Sequence, residues 1–466
     1  MRKEMRETAK RAEMTERLSE RQNFGDQLFE KWSKTPDVGE GLEGLYERDA
    51  DKARGLSIIL ENQENHLSQL TETQISNSFG TTPENVLRVV RLGYPNSVRG
   101  ELFLEWAMET ARDSIYYLSP VYQKTARGAD AGDVTHESDA YRYSSEIEEE
   151  TEGAMTAGAL AGTLTGVLPM RPFSVKILRD GVPVAADDGA GNFVGTTFTG
   201  TINYTTGEYD VTDSAGGTEV LTFIWNYDSE VAANYDELGS VELQLRDYQF
   251  RVKPMPLYVS WSKMTELLIN TTLNIDAEDA LIRGAGDELK KALDFQAVRM
   301  AWRASGGNTA VTFDGTLSAG ETETDKATNL SRAIDDAADT IFASLQRGGV
   351  SKIVGGPKAV NYLKLHKRFS AAGAQPKVGI HKVGSLDGMD IYKAPSTIVD
   401  DSSLMGIYKN ENVPEDVSLA FGSLIPLYKT QTLEHKNFYK ETGMAHFGDG
   451  RVLNGRYLTR INLTNI

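Results

Sequence analysis

Hydrophobic and polar positions change rhythm several times along the 466 residues, and each change predicts a different kind of element. Residues 1–22 are dense in charge, with Glu7–Arg11 and Glu13–Arg17 at the i,i+4 spacing of helical ion pairs. The apolar stripe of that helix (Met5, Ala9, Ala12, Leu18) is thin, so it needs a partner surface to persist. Phe24, Leu28, Phe29 and Trp32 follow as a short aromatic cluster, and Gly39 to Gly44 reads as a break. Residues 49–66 predict a second helix with Ala53, Leu56, Ile59, Leu60 and Gln63 on one side. A helical start at Val86, Val89 and Val90 leads to a strand-like run over 115–122. Residues 123–153 are polar and strongly acidic, and read as an exposed loop or arm.

Between 167 and 228 the period shortens to two. FSVKIL, FVGTTFTGTINY, GEYDVT and EVLTFIWNY are rich in β-branched and aromatic residues. Asp180-Gly181, Asp188-Gly189-Ala190-Gly191-Asn192, Thr206-Gly207 and Ala215-Gly216-Gly217 separate them as turns. Short strands at this spacing predict an inserted small all-β domain, a sandwich or barrel of about 60 residues. Residues 241–252 and 257–262 alternate as strands. Residues 277–304 then run without Pro, with cap candidates at 274–276 and with Leu281, Ala285, Leu289, Ala292 or Leu293, and Met300 along one face. Gly284 and Gly286 weaken the start of this long helix by about 1 kcal/mol each relative to Ala. A Gly/Thr-rich loop over 305–326 precedes a helix over 330–346, a strand SKIVGG, and a helix over 357–369 that opens on proline. Strands and turns alternate from there to Ile466. The sum is α+β, without an internal repeat of fixed period.

Composition narrows the function. Lys and Arg number 49 and Asp and Glu 67, a formal charge of −18. A chain this acidic is poorly suited to gripping nucleic acid, which needs clustered cations, yet it can enclose nucleic acid without sticking to it. The absence of cysteine excludes disulfides, Fe–S clusters, Cys-ligated zinc and thiol nucleophiles, and fits synthesis in a reducing cytoplasm. The first residues are too charged for a signal peptide. The nearest approach to a long apolar run, 154–170, is interrupted by Gly and Thr, so a soluble product without a membrane anchor is expected.

Motifs for chemistry are few. No GxxxxGK[ST] loop and no GxGxxG between strand and helix occurs, and Gly384-Ser385-Leu386-Asp387-Gly388 misplaces the serine of a GxSxG elbow. The histidines (66, 136, 366, 381, 435, 446) show no HExxH spacing. The carboxylates of 130–152, or Asp187 and Asp188 with Asn192, are the candidates for a divalent cation, though acidic runs are usually solvated faces. Phe223, Trp225 and Tyr227 offer either a sugar-binding platform or a packed core. No catalytic residue, metal ligand or cofactor is assigned, and no enzyme activity is expected.

The order of these elements resembles the HK97-type major capsid fold of tailed bacteriophages, and more narrowly the T-even-like major head proteins. The residues that carry the resemblance are Glu40-Gly41-Leu42, Ile59-Leu60-Glu61-Asn62-Gln63-Glu64, Ser78-Phe79-Gly80 and Val89-Val90-Arg91-Leu92-Gly93-Tyr94-Pro95-Asn96. They continue at Tyr258 to Leu267, Asp276-Ala277-Glu278, Glu288-Leu289, Asp294, Lys352-Ile353-Val354-Gly355 and Val360-Asn361-Tyr362-Leu363. The likeness lies in their colinear order over 40–466; the β insertion and the first 40 residues depart from it.

The resemblance implies a charged helical N-terminal region (1–75), an N-terminal arm and extended loop (76–166) and the inserted β domain (167–228). It further implies a return strand and peripheral domain with a spine helix (229–305), an axial domain (306–430) and C-terminal return strands (431–466). It implies a structural major capsid protein, made in the host cytoplasm and carried in the virion. Copies would join as hexamers and pentamers into an icosahedral or prolate head that encloses double-stranded DNA without sequence-specific binding. Scaffold, portal and vertex or decoration proteins would be the partners. An encapsulin-like compartment, or a glycan-binding protein acting through the β insertion, are the alternatives. Relatives are often trimmed by a head protease after Leu/Ile-x-Glu, which here fits Leu18-Ser19-Glu20, Leu28-Phe29-Glu30, Leu45-Tyr46-Glu47 and Ile59-Leu60-Glu61. The expectation is that the N-terminal helices stay in the mature shell.

Overall fold

The structure is a computed structural model that describes residues 21–35, 39–68, 97–138, 140, 142–273, 277–373, 379–410, 416–430 and 432–466. Expectations placed on 1–20, 69–96 and 274–276 lie outside the described residues. The chain divides into two compact units, Met1–Tyr117 with Leu245–Ile466, and Leu118–Gln244.

In the first unit, α1 covers 21–33, α2 Gly39–Tyr46 and α3 Ala50–Ser68. The one-sided spacing of α3 buries Ala53, Leu56, Ile59, Leu60 and Gln63 together. Leu28 and Trp32 of α1 and Leu42 of α2 close the same core. Arg54–Asp26 and Lys31–Glu61, both at 2.6 Å, tie α1 to α3 at its rim. The glycines from 39 to 44 therefore belong to a helix and not to a break. Burial of Leu42 and Leu45 there outweighs the cost of about 1 kcal/mol for each helical Gly.

Helices α4 (Val98–Leu102), α5 (Lys263–Leu273), α6 (Ala277–Ala304), α7 (Glu323–Leu345) and α8 (Pro357–Leu363) complete the α-helices among the described residues. At about 1.5 Å per residue, α6 is roughly 42 Å long. Ala285 and Leu289 join the core of α3, while Ala297, Val298 and Ala301 join a second core. One stiff rod thus links two cores. Helix α7 starts at Glu323, ahead of the expected Leu330, because Thr322 Oγ1 accepts the Asp325 N–H (3.2 Å) and caps it. The loop expected over 305–326 contains the strand Val311–Asp314, and α8 stops at Leu363 instead of reaching Phe369.

A seven-stranded sheet runs in the order Val311–Asp314, Leu458–Thr464, Ser403–Ile407, Lys352–Gly355, Met389–Lys393, His381–Leu386, Phe369–Ala371. Strand alternation divides its side chains between two cores. Ile353, Ile391, Leu404 and Ile461 pack with α7 and α8, whereas Val354, Tyr392, Met405 and Leu458 pack with α6. With both faces covered, Ser403–Ile407 is buried throughout and reads as a continuous apolar run. Asp387 and Gly388, at φ of 50° and 86°, make the two-residue turn joining His381–Leu386 to Met389–Lys393.

A second sheet sets Leu104–Ala107, Leu419–Lys429, Tyr439–Val452 and Lys253–Ser262 side by side, with Leu433–Glu434 paired to Tyr439–Val452. Lys253–Ser262 is an edge strand, the position where Pro254 and Pro256 can lack an N–H at least cost. Strands Arg112–Tyr122 and Val241–Arg251 form a separate two-stranded ribbon.

The second unit is one antiparallel eight-stranded sheet. Its order is Ile147–Ala154, Val220–Asn226, Lys176–Arg179, Val182–Asp187, Asn192–Gly195, Phe198–Ile202, Glu208–Asp213, Ala159–Thr163. Its inward residues share a single core that includes Val175, Ile177, Phe193, Phe198, Val211 and Leu221. Asp180 and Gly181, at φ of 51° and 77°, form the tight turn between Lys176–Arg179 and Val182–Asp187. Two of the eight strands lie before residue 167, so the sheet begins earlier than the strand-rich stretch suggests. The run Ile147–Ala154 belongs to the sheet and not to a free acidic arm. Its glutamates hid it, because it pairs with one neighbour only and buries little.

Candidate assembly surface

The residues singled out for chemistry are used in structure. Phe223, Trp225 and Tyr227 are fully buried, so none of the three rings is open to a sugar. Trp225 Nε1 donates to Val167 O at 3.1 Å. Asp187 accepts from the Phe173 and Val175 N–H groups (2.7 and 2.9 Å) and from Tyr204 O–H (2.7 Å). Asp188 accepts from Asn192 Nδ2 (2.9 Å) and from the N–H groups of Asn192 and Ala190, bonds that hold its carboxyl below the usual range. Both carboxylates therefore pin a turn. In the acidic run, Glu148 pairs with Arg127 (2.9 Å) and Glu149 with Arg142, while Glu150 accepts from the N–H groups of Thr165 and Gly166.

The histidines are dispersed. His366 is buried, with Nε2 2.7 Å from Ser331 Oγ, and its Nδ1 accepts the Arg368 N–H. His381 Nδ1 lies 3.2 Å from Gly379 O, and His435 meets Glu441 at 2.7 Å. His446 is buried, its Nδ1 3.3 Å from Pro426 O, and burial, aided by the charge of Arg99, pushes it down to about 3. The ring is neutral at any ordinary pH. The side chains of His66 and His136 lie outside the described residues. Among the described residues no group of three His, Cys, Asp or Glu side chains is placed to hold a metal ion.

The buried charges instead fix elements of the first unit to one another. Asp294 of α6 accepts from Ser97 Oγ and from the Arg99 N–H, both at 3.1 Å, and burial raises its pKa. Arg99 Nε donates to Glu105 at 2.7 Å, and its Nη2 donates to Ser423 Oγ at 3.3 Å. Lys409 Nζ reaches the carbonyls of Gly100 (2.8 Å) and Phe103 (3.0 Å), and Lys352 Nζ that of Glu101 (2.6 Å). Cations at these last carbonyls satisfy the open end of α4. Sequence reasoning passed over this network, since its members are far apart in the chain and no spacing marks them.

Two surface properties remain after the interior is accounted for. The first is charge. Residues 118–244 hold six Lys and Arg against 21 Asp and Glu, a net −15. The rest of the chain holds 43 against 46, a net −3. The overall −18 is therefore a property of one unit, and the first unit is close to neutral. The second is apolar exposure. Met264, Leu267 and Leu268 of α5 stand in solvent, as do Phe438 and Tyr439 beside them. Among the described residues no helix is long and apolar enough to cross a membrane.

Comparison with known proteins gives one extensive match, to the family described as major capsid protein Gp23, over residues 81–446. No curated protein matches. Among solved structures, a chain of Microbacterium phage Oxtober96 is similar at 10% identity and a TM-score of 0.38, covering 79% of this chain and 91% of its own. The capsid of jumbo bacteriophage PhiKZ is similar at 12% identity and a TM-score of 0.38, covering 79% and 92%. The capsid of Myoviridae phage XM1 is similar at 9% identity and a TM-score of 0.31, covering 48% and 78%.

Proposed function

The chain belongs to the Gp23 family of major capsid proteins, and from that premise we propose that it is the tile of a bacteriophage head. It is a structural protein of the virion. Copies join as hexamers and pentamers into a closed icosahedral or prolate shell of HK97 type, with scaffold, portal and vertex or decoration proteins as partners during assembly. The chain is made in the host cytoplasm, carries no catalytic site, and holds double-stranded DNA by enclosure. The family match over 81–446 is the observation that carries this reading. The rigid α6, anchored in two cores, suits a tile that must keep its shape under load.

The charge distribution refines the relation to DNA. A near-neutral first unit neither grips nor strongly repels a packaged duplex. The strongly acidic 118–244 unit would repel it, so this unit stands on the outside of the head. The N-terminal helices remain in the mature shell. Of the four Leu/Ile-x-Glu sequences, Ile59-Leu60-Glu61 has Ile59 and Leu60 fully buried in the core that α6 shares, so a protease could not reach it without unfolding α3.

Mass spectrometry of purified heads, intact and after brief exposure to protease, tests these points. The chain is expected as the most abundant protein, with peptides from before Asn62 present and with first cuts inside 118–244. A minor amount of the chain, or a mature N-terminus near Asn62, would overturn the corresponding part.

A further inference from the structure

Helix α5 carries its apolar residues on the wrong side for a core. Met264, Leu267 and Leu268 repeat at i, i+3 and i+4, the stripe that a helix normally buries, and here the stripe is open to solvent. The neighbouring hairpin adds to it. The Lys263 N–H donates to Phe438 O at 2.8 Å, and Ser262 pairs with Tyr439, so the first turn of α5 and the tip before Tyr439–Val452 are adjacent. Phe438 sits at φ 61°, a conformation that a bulky residue rarely adopts, and its ring is held out in solvent. Tyr258 stands on the same face of the sheet as Tyr439, since 258 pairs with Gly443 and 262 with Tyr439 in one register. These six side chains are 51–70% exposed. The five at the junction of α5 and the hairpin, without Tyr258, expose roughly 600 Å², the upper limit of what a free monomer ordinarily presents in one patch.

The charges around the patch are mostly paired within it; the exposed Lys436 and the half-buried Glu441, one of each sign, are left over. Lys263 pairs with Glu434 at 2.5 Å and Lys440 with Glu266 at 2.9 Å, and Glu266 also accepts from Trp261 Nε1 at 3.2 Å. His435 meets Glu441 at 2.7 Å, and Glu441 accepts the Tyr258 O–H. A surface whose charges of both signs balance has no net charge with which to select a strongly charged partner. What it offers is an apolar centre with a paired polar rim, the composition of an interface between like subunits. Its area is most of the share one partner contributes to a specific contact, about 800 Å².

We propose that the face formed by α5 and the 433–439 hairpin is a contact through which one copy of this chain meets a second copy during shell assembly. The proposal rests on the capsid reading above and adds the segment that makes the contact.

Two variants test it in the full chain. In Leu267→Asp/Leu268→Asp, both side chains are already in solvent, so the circular dichroism and melting point of the dissociated chain are expected to stay as in wild type. The concentration needed to form particles is expected to rise at least 100-fold. In Leu268→Cys the new thiol is the only one in the chain, because the native sequence has no cysteine. Its reaction with a maleimide is expected to be at least ten-fold slower in assembled particles than in the dissociated chain.

Normal assembly of the double variant, or equal thiol reactivity in both states, would overturn the proposal and leave the capsid reading standing. A thiol protected already in the dissociated chain would overturn it in favour of a cover supplied by the same copy. Failure of the wild-type chain to assemble would overturn both. Should the double variant misfold, the thiol measurement decides alone.

Discussion

Truncating Phe223 separates the two units energetically. The ring is fully buried in the core of 118–244, 4.5 Å from the Tyr209 ring and 6.1 Å from that of Phe193. Phe223→Ala removes a whole aromatic side chain from a packed interior, a loss of about 3–5 kcal/mol. Of this, about 0.5–1.5 kcal/mol reflects ring pairing. A unit of about 127 residues unfolds with an entropy near 0.27 kcal/mol/K, so the loss lowers its midpoint by roughly 11–19 °C. Scanning calorimetry of the purified full chain should resolve this as one transition moving down while the transition of 1–117 with 245–466 stays in place. A shift below about 3 °C would refute the buried position of Phe223. Equal movement of both transitions would refute the division into two cooperative units.

Other consequences concern the first unit. His446 is held near 3 in the fold against 6.5 when unfolded, so below pH 6.5 the unfolded chain takes up a proton that the folded chain refuses. Stability therefore falls by about 2 kcal/mol between pH 7 and pH 5 through this ring alone. In His446→Gln, urea unfolding at the two pH values should show a loss smaller by that amount, and an unchanged loss would contradict the buried neutral ring. Thr322→Ala removes the cap of α7 and should cost about 1 kcal/mol in the same assay. Gly356→Ala would place a methyl 2.1 Å from Asp400 O, a backbone atom that cannot swing away. A destabilisation of about 1–3 kcal/mol is expected, and a neutral result would contradict this close approach.

Elements with a strong rhythm and a local stop signal were legible in the sequence. The length of α6, the one-sided burial along α3, and the tight turn at Asp180-Gly181 all follow from spacing and turn chemistry. Ile147–Ala154 was not legible, because an edge strand of glutamates carries no apolar alternation. The Gly39–Gly44 stretch misled in the other direction, since helix propensity yields where Leu42 can be buried. Net charge was read as a property of the whole chain, and only the division at 118 and 244 reveals that one unit holds nearly all of it. The exposed stripe of α5 was invisible for a different reason. Met264, Leu267 and Leu268 have the spacing of any amphipathic helix, and sequence alone does not say whether that face meets the chain's own core or another molecule.

The claim on which the rest depends is that this polypeptide is a subunit of a closed shell. Sedimentation velocity on the purified full-length chain, with electron microscopy of the same fractions, tests it most directly. The account predicts capsomers, tubes or shells of many times 51.2 kDa. A single compact species of 51.2 kDa, unchanged at the highest concentration reached, would contradict it.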